Sequence, residues 1–436
     1  MLLPTPRLVG LLLFAAPVFA LEPLWSPALG LASTYLLGLG FAVLVDALSL
    51  RSRTRVSLER SLPHRIGQHA AAMVGYRLTN ETRSSLLVQI AERLPEYVEG
   101  DRTRHAVRLE GGQSRRLEDR IVAQRRGVFE FERVDVRVTP VWGLLARQTL
   151  VELPAQLRVL PNLTALTRCE LELRRGLRDV GLSRIRHRGQ GSEFESLRQY
   201  VPGDDFSQIE WKATARRGVL VTRNLEAERR QSVIVALDVG RSTAGEIHGK
   251  SRLDTFVDAT LLLAYVTLRQ GDWFSLVAFS GRIERYLPPL RGLQNIGRVA
   301  DALCPLDTRL EEPDYGAACR FLGLRNRKRS LMVLMTDVID EDANDVMMAY
   351  MARYARYHLP LVATLTDTEL LEMAVSPLGP DADPYVKAVA LDTIAARERA
   401  LRAMRHRGVG VLDVEPQNMT PALLQRYLQL KVSRRL

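Results

Sequence analysis

Two apolar runs in this chain end in an aspartate. Residues 232–238 read Ser-Val-Ile-Val-Ala-Leu-Asp, and residues 330–337 read Ser-Leu-Met-Val-Leu-Met-Thr-Asp. Aliphatic runs of this length read as buried central strands of a parallel sheet, and open α/β sheets place their ligand sites at the carboxyl edge of such strands. Asp238 and Asp337 are therefore two carboxylates brought to one edge if their strands are neighbours. Small and hydroxylated residues, Val239-Gly-Arg-Ser242, follow the first of them. Other chemistries find less support. No G-x-x-x-x-G-K-[ST] loop occurs, and Gly189-Gln-Gly191 lacks the strand before and helix after that a dinucleotide fingerprint needs. His187 has no serine or cysteine beside it in a nucleophile context, so it reads as a surface residue. Cys169, Cys304 and Cys319 are too widely spaced for a metal or redox motif and read as buried or incidental thiols.

Between residues 191 and 217 the chain is dense in charge, glycine and aromatics. It carries Gly191, Glu193 and Phe194; Leu197-Arg-Gln-Tyr200; Gly203-Asp-Asp205; and Ile209-Glu-Trp-Lys-Ala-Thr-Ala-Arg216, followed by Leu237-Asp-x-x-x-Ser242. These elements, in this order, resemble the bacterial membrane-anchored domain-of-unknown-function family fifty-eight. The resemblance implies a von Willebrand factor A-like C-terminal half, association with MoxR-type AAA+ ATPases, and no catalytic activity. It also implies a metal-ion-dependent adhesion site at the sheet edge, with Asp238, Ser242, Asp314 and Asp337 as the metal set. Gly240 stands where the family has a first serine, and Asp314 where it has a threonine. Magnesium or another divalent cation is the implied cofactor, since such ions take six oxygen donors. The alternative for the same aspartates is that they only cap loops and helix N-termini. Glu193, Arg198, Tyr200, Asp204, Asp205, Trp211, Lys212 and Arg216 read as a network of opposite charges that pins the signature stretch to the sheet. Ser207 stands where the family usually has arginine, and Glu210 where it has aspartate.

These residues need a frame, and the hydrophobic pattern supplies one. Residues 8–21 are apolar but short for a span, and 24–45 run without a charge for long enough to cross a bilayer. Arg51, Arg53, Arg55 and Arg60 follow, so by the positive-inside rule that end is cytoplasmic. A transmembrane hairpin over residues 1–50 fits, in keeping with the resemblance; a signal peptide cut after Ala20 plus one span gives the same location. Residues 51–161 alternate with period two between turns and predict a small antiparallel β-sandwich. Arg126-Gly127 and the corner around Trp142 match the family's pre-domain, with Trp142 in the place of the usual phenylalanine. Residues 162–230 form a basic linker and the signature stretch. Residues 231–436 alternate strand and helix and predict a doubly wound, mostly parallel sheet. Its helices are expected near 252–270, 293–303, 314–322, 341–356, 384–405 and 421–430, with a turn at Pro288-Pro289.

The 436 residues carry a net charge of +11. Residues 51–230 hold 34 Lys+Arg against 23 Asp+Glu, so the excess lies in the middle of the chain, nearly all as arginine. No compact basic run with stacking aromatics accompanies it, which argues against nucleic acid and for anionic lipid or an acidic partner. The expected function is that of a non-enzymatic adaptor in the bacterial inner membrane, its soluble domains cytoplasmic, serving a MoxR-like ATPase or another protein client. A metal-dependent phosphoester hydrolase built on Asp238, Asp314 and Asp337 is the alternative, and a lipid- or nucleic-acid-binding surface a third.

Overall fold

The computed structural model describes residues 1–20, 28–53, 55–101, 103–140, 142–161, 193–201, 206, 209–226, 231–326, 328–338, 345–376 and 384–433. The chain divides into two compact units, Met1–Leu160 and Pro161–Leu436.

The first unit opens with β1 (Leu2–Pro4), α1 (Pro6–Ala20) and α2 (Ala28–Arg53). Within α2, Gly30–Leu48 is long and apolar enough to cross a membrane; α1 is shorter, with its apolar part at Pro6–Pro17. The two helices pack through Leu8 and Leu39, joined by Tyr35, Ala42 and Val43. Tyr35 also donates its hydroxyl proton to the Leu11 carbonyl at 2.9 Å. Of the two expected passes, one helix is thus of spanning length and the other lies shorter against it.

Nine further strands form the sandwich. These are β2 (Val56–Ser61), β3 (Arg65–Gly67), β4 (Ala71–Asn80), β5 (Leu86–Glu92), β6 (Val98–Gly100), β7 (Arg104–Leu109), β8 (Ser114–Ala123), β9 (Gly127–Pro140) and β10 (Leu145–Leu160). One sheet runs β1-β10-β9-β5-β7 with β3 also on β10; the other runs β2-β4-β8-β6. Alternation sends Val74, Tyr76 and Leu78 of one sheet and Val88, Ile90, Phe131 and Leu157 of the other into a shared core. Arg60 is not a membrane-facing cation as its position in the sequence suggests. It is buried in the sandwich, paired with Glu92, which also accepts from the Tyr76 hydroxyl. Buried charges need such partners. The helices and the sandwich, expected as separate segments, form one unit because β1 joins the sandwich sheet beside β10. A cut after Ala20 would remove that strand and α1 together.

In the second unit, β11 (Glu193–Gln199) and β12 (Val221–Glu226) form their own antiparallel ribbon with α3 (Trp211–Arg217) between them. The main sheet holds β13 (Ser232–Asp238), β16 (Trp273–Phe279), β17 (Ile283–Arg291), β18 (Leu331–Met335), β19 (Leu359–Leu365) and β20 (Gly410–Val414) in the order β17-β16-β13-β18-β19-β20. All its pairings are parallel except that of β17. Pro288 and Pro289 lie inside β17 rather than in the expected turn; the strand is at the sheet's edge and its register shifts there, which is where proline is tolerated. A short ribbon, β14 (Glu246–Ile247) with β15 (Lys250–Ser251), precedes α4 (Arg252–Arg269), whose N-cap Ser251 accepts from the Asp254 amide. The remaining helices are α5 (Ile296–Leu303), α6 (Tyr315–Arg325), α7 (Asp345–Tyr354), α8 (Thr368–Val375), α9 (Pro384–His406) and α10 (Met419–Val432). Helix α8 is an addition to the sequence expectation; its N-cap Asp367 marks its start. One face of the sheet, with Ile234, Ala236, Met332 and Leu334, packs on Ala318, Met348, Leu401 and Met404 of α6, α7 and α9. Helices α4 and α10 lie on the other.

Candidate functional site: the carboxyl edge of the parallel sheet

Strands β13 and β18 are neighbours, so Asp238 and Asp337 do reach the same edge. The register decides what each carboxylate meets. Leu237 pairs with Met335, which sets Asp238 opposite Thr336 and leaves Asp337 one residue further on. Strand periodicity then sends the two carboxylates to different partners.

Asp238 is fully buried. Its Oδ1 accepts from the Gly240 amide at 2.7 Å, and its Oδ2 accepts from the Thr336 hydroxyl at 2.6 Å and the Tyr315 hydroxyl at 3.3 Å. Ser242, half-buried, adds a side-chain hydrogen bond. Burial pushes the Asp238 carboxyl above its ordinary pKa, and these four donors offset part of that rise. Burial and the nearby Asp238 charge also push the Tyr315 hydroxyl well up, so it stays protonated as a donor. Gly240 is there for want of space: a Cβ would stand 2.9 Å from the Glu311 carbonyl oxygen and 3.2 Å from Pro313 Cδ. The serine of the adhesion motif does not fit this backbone without movement of the 311–313 loop.

Asp337 is enclosed by cations. Its Oδ1 accepts from Arg397 Nη1 at 2.7 Å, the Thr364 hydroxyl at 3.2 Å and the Val338 amide at 3.0 Å; its Oδ2 is paired with Arg252. Arg252 also pairs with Asp367, and Arg397 with Asp413 at 2.9 Å. Arg397 further donates to the Thr364 hydroxyl at 2.8 Å and the Leu365 carbonyl at 2.7 Å. Two guanidinium groups thus tie three aspartates from β18, β19 and β20 or the turns just after them. Asp314 does something else: it caps α6, accepting from the Ala317 amide at 2.7 Å.

The four residues of the implied metal set therefore do not converge. Asp238 faces hydroxyls, Ser242 joins it, Asp314 is spent as a helix cap, and Asp337 faces two arginines. Among the described residues no three His, Cys, Asp or Glu side chains are grouped to hold a metal. A divalent cation at Asp337 would have to displace two guanidinium groups, and one at Asp238 the Tyr315 hydroxyl. These residues do not fit a Mg²⁺ octahedron. Arg252, Arg397, Asp367, Asp413, Thr336 and Thr364 went unnoticed in the sequence. One signal was available: Arg397 precedes Ala400, Leu401 and Met404 by three, four and seven residues and so shares the buried face of α9.

Of the signature residues, Asp204 and Asp205 lie outside the described residues, as do Ser207, His187 and Cys169. The charged stretch is not pinned to the main sheet through shared strands; β11 and β12 make a separate ribbon, and Trp211 on α3 is exposed. Tyr200 stacks on Phe206 with ring centroids 5.7 Å apart. Cys304 and Cys319 are buried free thiols, and burial pushes Cys319 up to about 12, which keeps it unreactive.

An apolar helix pair set into a β-sandwich, followed by a mixed α/β unit with an ion-paired sheet edge, defines a two-unit α/β protein with one candidate membrane helix. Residues 196–411 match the family model described as "Protein of unknown function DUF58", and through that stretch the chain is a member of this family. It is 26% identical over 217 residues to the uncharacterized protein YeaD of Bacillus subtilis (strain 168), covering 50% of this chain and 52% of that protein. The chain thus spans about half the length of this curated relative. Among solved structures, it is similar to the conserved hypothetical protein BatB from Bacteroides thetaiotaomicron, at 15% identity and a TM-score of 0.33, over 47% of this chain and 98% of that one. An aerotolerance-related membrane protein from Bacteroides fragilis gives the same identity and score over 47% and 99%.

Proposed function

We propose that this chain is a non-enzymatic interaction protein anchored in the bacterial inner membrane, its soluble units on the cytoplasmic side. In this reading the second unit is a doubly wound, von Willebrand factor A-like domain that docks a MoxR-like AAA+ ATPase or another protein client. One observation carries it: at the sheet edge, the place where such sheets bind ligands, Asp337, Asp367 and Asp413 pair with Arg252 and Arg397, and Asp238 is held by the Thr336 and Tyr315 hydroxyls. Among the described residues, an edge closed in this way holds no three grouped acids or histidines for a metal, which favours a role in presenting a surface. The absence of a phosphate-binding loop in the sequence assigns ATP turnover to the partner. The hydrolase reading loses its footing, since Asp238, Asp314 and Asp337 have separate duties. Anchoring rests on Gly30–Leu48 and on the basic residues after it.

The test is affinity purification of the detergent-solubilised full chain from membranes of its own host. Enrichment of an AAA+ ATPase subunit is the expected result. A preparation with no ATPase or other protein enriched, or metal-dependent phosphoester turnover by the pure chain, would overturn the reading.

A further inference from the structure

The joint between the helix pair and the sandwich is built with more care than a tether requires. Asp46 lies in the last turn of the apolar Gly30–Leu48 segment, where a charge is costly. It is buried, and its Oδ2 accepts from the backbone amides of Leu144 at 3.2 Å and Leu145 at 2.9 Å. Just before the other helix, the Thr5 amide donates to the Leu144 carbonyl at 3.1 Å, and the Thr5 hydroxyl donates to the Gly143 carbonyl. Strand β1 fixes the same place from the outside, with Leu3 opposite Ala146 and Pro4 opposite Leu145. Gly143 takes a left-handed φ of 65°, and a Cβ on it would stand 3.2 Å from Arg7 Nη1. Three elements therefore hold one corner, and Trp142, 59% exposed, stands beside it.

The level of that corner relative to a bilayer follows from the helix surface. Leu37, Phe41, Leu44 and Leu48 are exposed at spacings of four, three and four residues, an apolar stripe on one side of α2. The stripe continues to Leu48, past Asp46, so the hydrocarbon boundary falls at the height of the clamp. Trp142 is two residues from Leu144, hence within about 7 Å along the chain of an amide that Asp46 holds. Arg147 reaches the same level, its Nη1 3.5 Å from the Leu50 carbonyl. An exposed tryptophan among arginines at the end of an apolar stripe has the chemistry of the headgroup layer: an amphipathic ring for the interface and cations for anionic lipid.

We propose that the corner bearing Trp142 is a lipid-contact site seated in the headgroup layer, so that the sandwich rests on the bilayer surface instead of hanging from it. The proposal rests on the anchoring reading above, and the test separates the two. The full chain with Trp25→Phe, Trp211→Phe and Trp273→Phe keeps Trp142 as its one tryptophan. It is reconstituted into phosphatidylcholine–phosphatidylglycerol vesicles and floated on a density gradient. Flotation, with stronger quenching of Trp142 by lipids brominated near the headgroup than by lipids brominated deep in the chain, is the expected result. Flotation with Trp142 open to aqueous iodide and unquenched by either lipid overturns the corner site and leaves the anchor standing. Failure to float overturns the anchor and the site with it. If the triple variant does not fold, Trp142→p-benzoyl-phenylalanine in the otherwise native chain decides the matter. Photocrosslinked lipid adducts uphold the site, and their absence from floated protein overturns it.

Discussion

Asp238 is the residue around which the sheet edge is arranged, and its burial has a consequence in solution. Its carboxyl is raised by desolvation, with hydrogen bonds from Thr336, Gly240, Tyr315 and Ser242 opposing the rise. A carboxyl whose folded pKa lies above the unfolded value of about 3.9 contributes stability that is full below that value and is lost as pH rises through the folded one. Asparagine at 238 keeps an acceptor for the Gly240 amide and carries no charge to desolvate. The difference in unfolding free energy between Asp238→Asn and the native chain is therefore predicted to move in favour of asparagine as pH rises from about 4 to neutrality. A urea-denaturation series across that range measures it, and a pH-independent difference would contradict the assignment. Arg397 is the opposite case, a cation whose removal takes the guanidinium from Asp413 and leaves Asp337 with Arg252 alone. Arg397→Met is predicted to destabilise the chain by about 3–5 kcal/mol, the cost of breaking a buried pair from one side. A loss below about 1 kcal/mol in chemical denaturation would show the network to be solvated.

At the scale of elements, the strands and most helices of the second unit were legible because their periodicity is strong. Apolar runs gave β13 and β18, and the helical spacing of residues 252–270 gave α4. What the pattern could not show was register. One residue of offset between β13 and β18 separates Asp238 from Asp337, and no local sequence signal encodes it. The adhesion motif was readable at Asp238 and Asp337 for the same reason that it misled: strand ends are visible, whereas the arginines that arrive from α4 and α9 come from 85 and 60 residues away from Asp337. In the first unit, β1 and the Asp46 clamp were likewise invisible, being contacts between residues far apart in the chain, as Leu2 with Arg147 and Asp46 with Leu145. Asp46→Ala removes the acceptor of the Leu144 and Leu145 amides and is predicted to lower the stability of the detergent-solubilised chain by about 1–3 kcal/mol. Thermal unfolding measures this, and an unchanged midpoint would mean that the clamp does not hold.

The whole molecule combines a β-sandwich carrying one candidate membrane helix with an α/β unit whose described sheet-edge aspartates are held by its own side chains. The positive charge that a cation would supply at Asp337 is supplied by guanidinium groups of the chain itself. That substitution of guanidinium for metal separates the proposed protein-recruiting surface from a metal-dependent adhesion or hydrolase site. The direct measurement is the thermal unfolding midpoint of the purified full chain titrated with Mg²⁺ at constant ionic strength, beside Asp238→Ala. No Mg²⁺-dependent shift is expected in the native chain. A midpoint that rises with Mg²⁺ and ceases to do so in Asp238→Ala would contradict it.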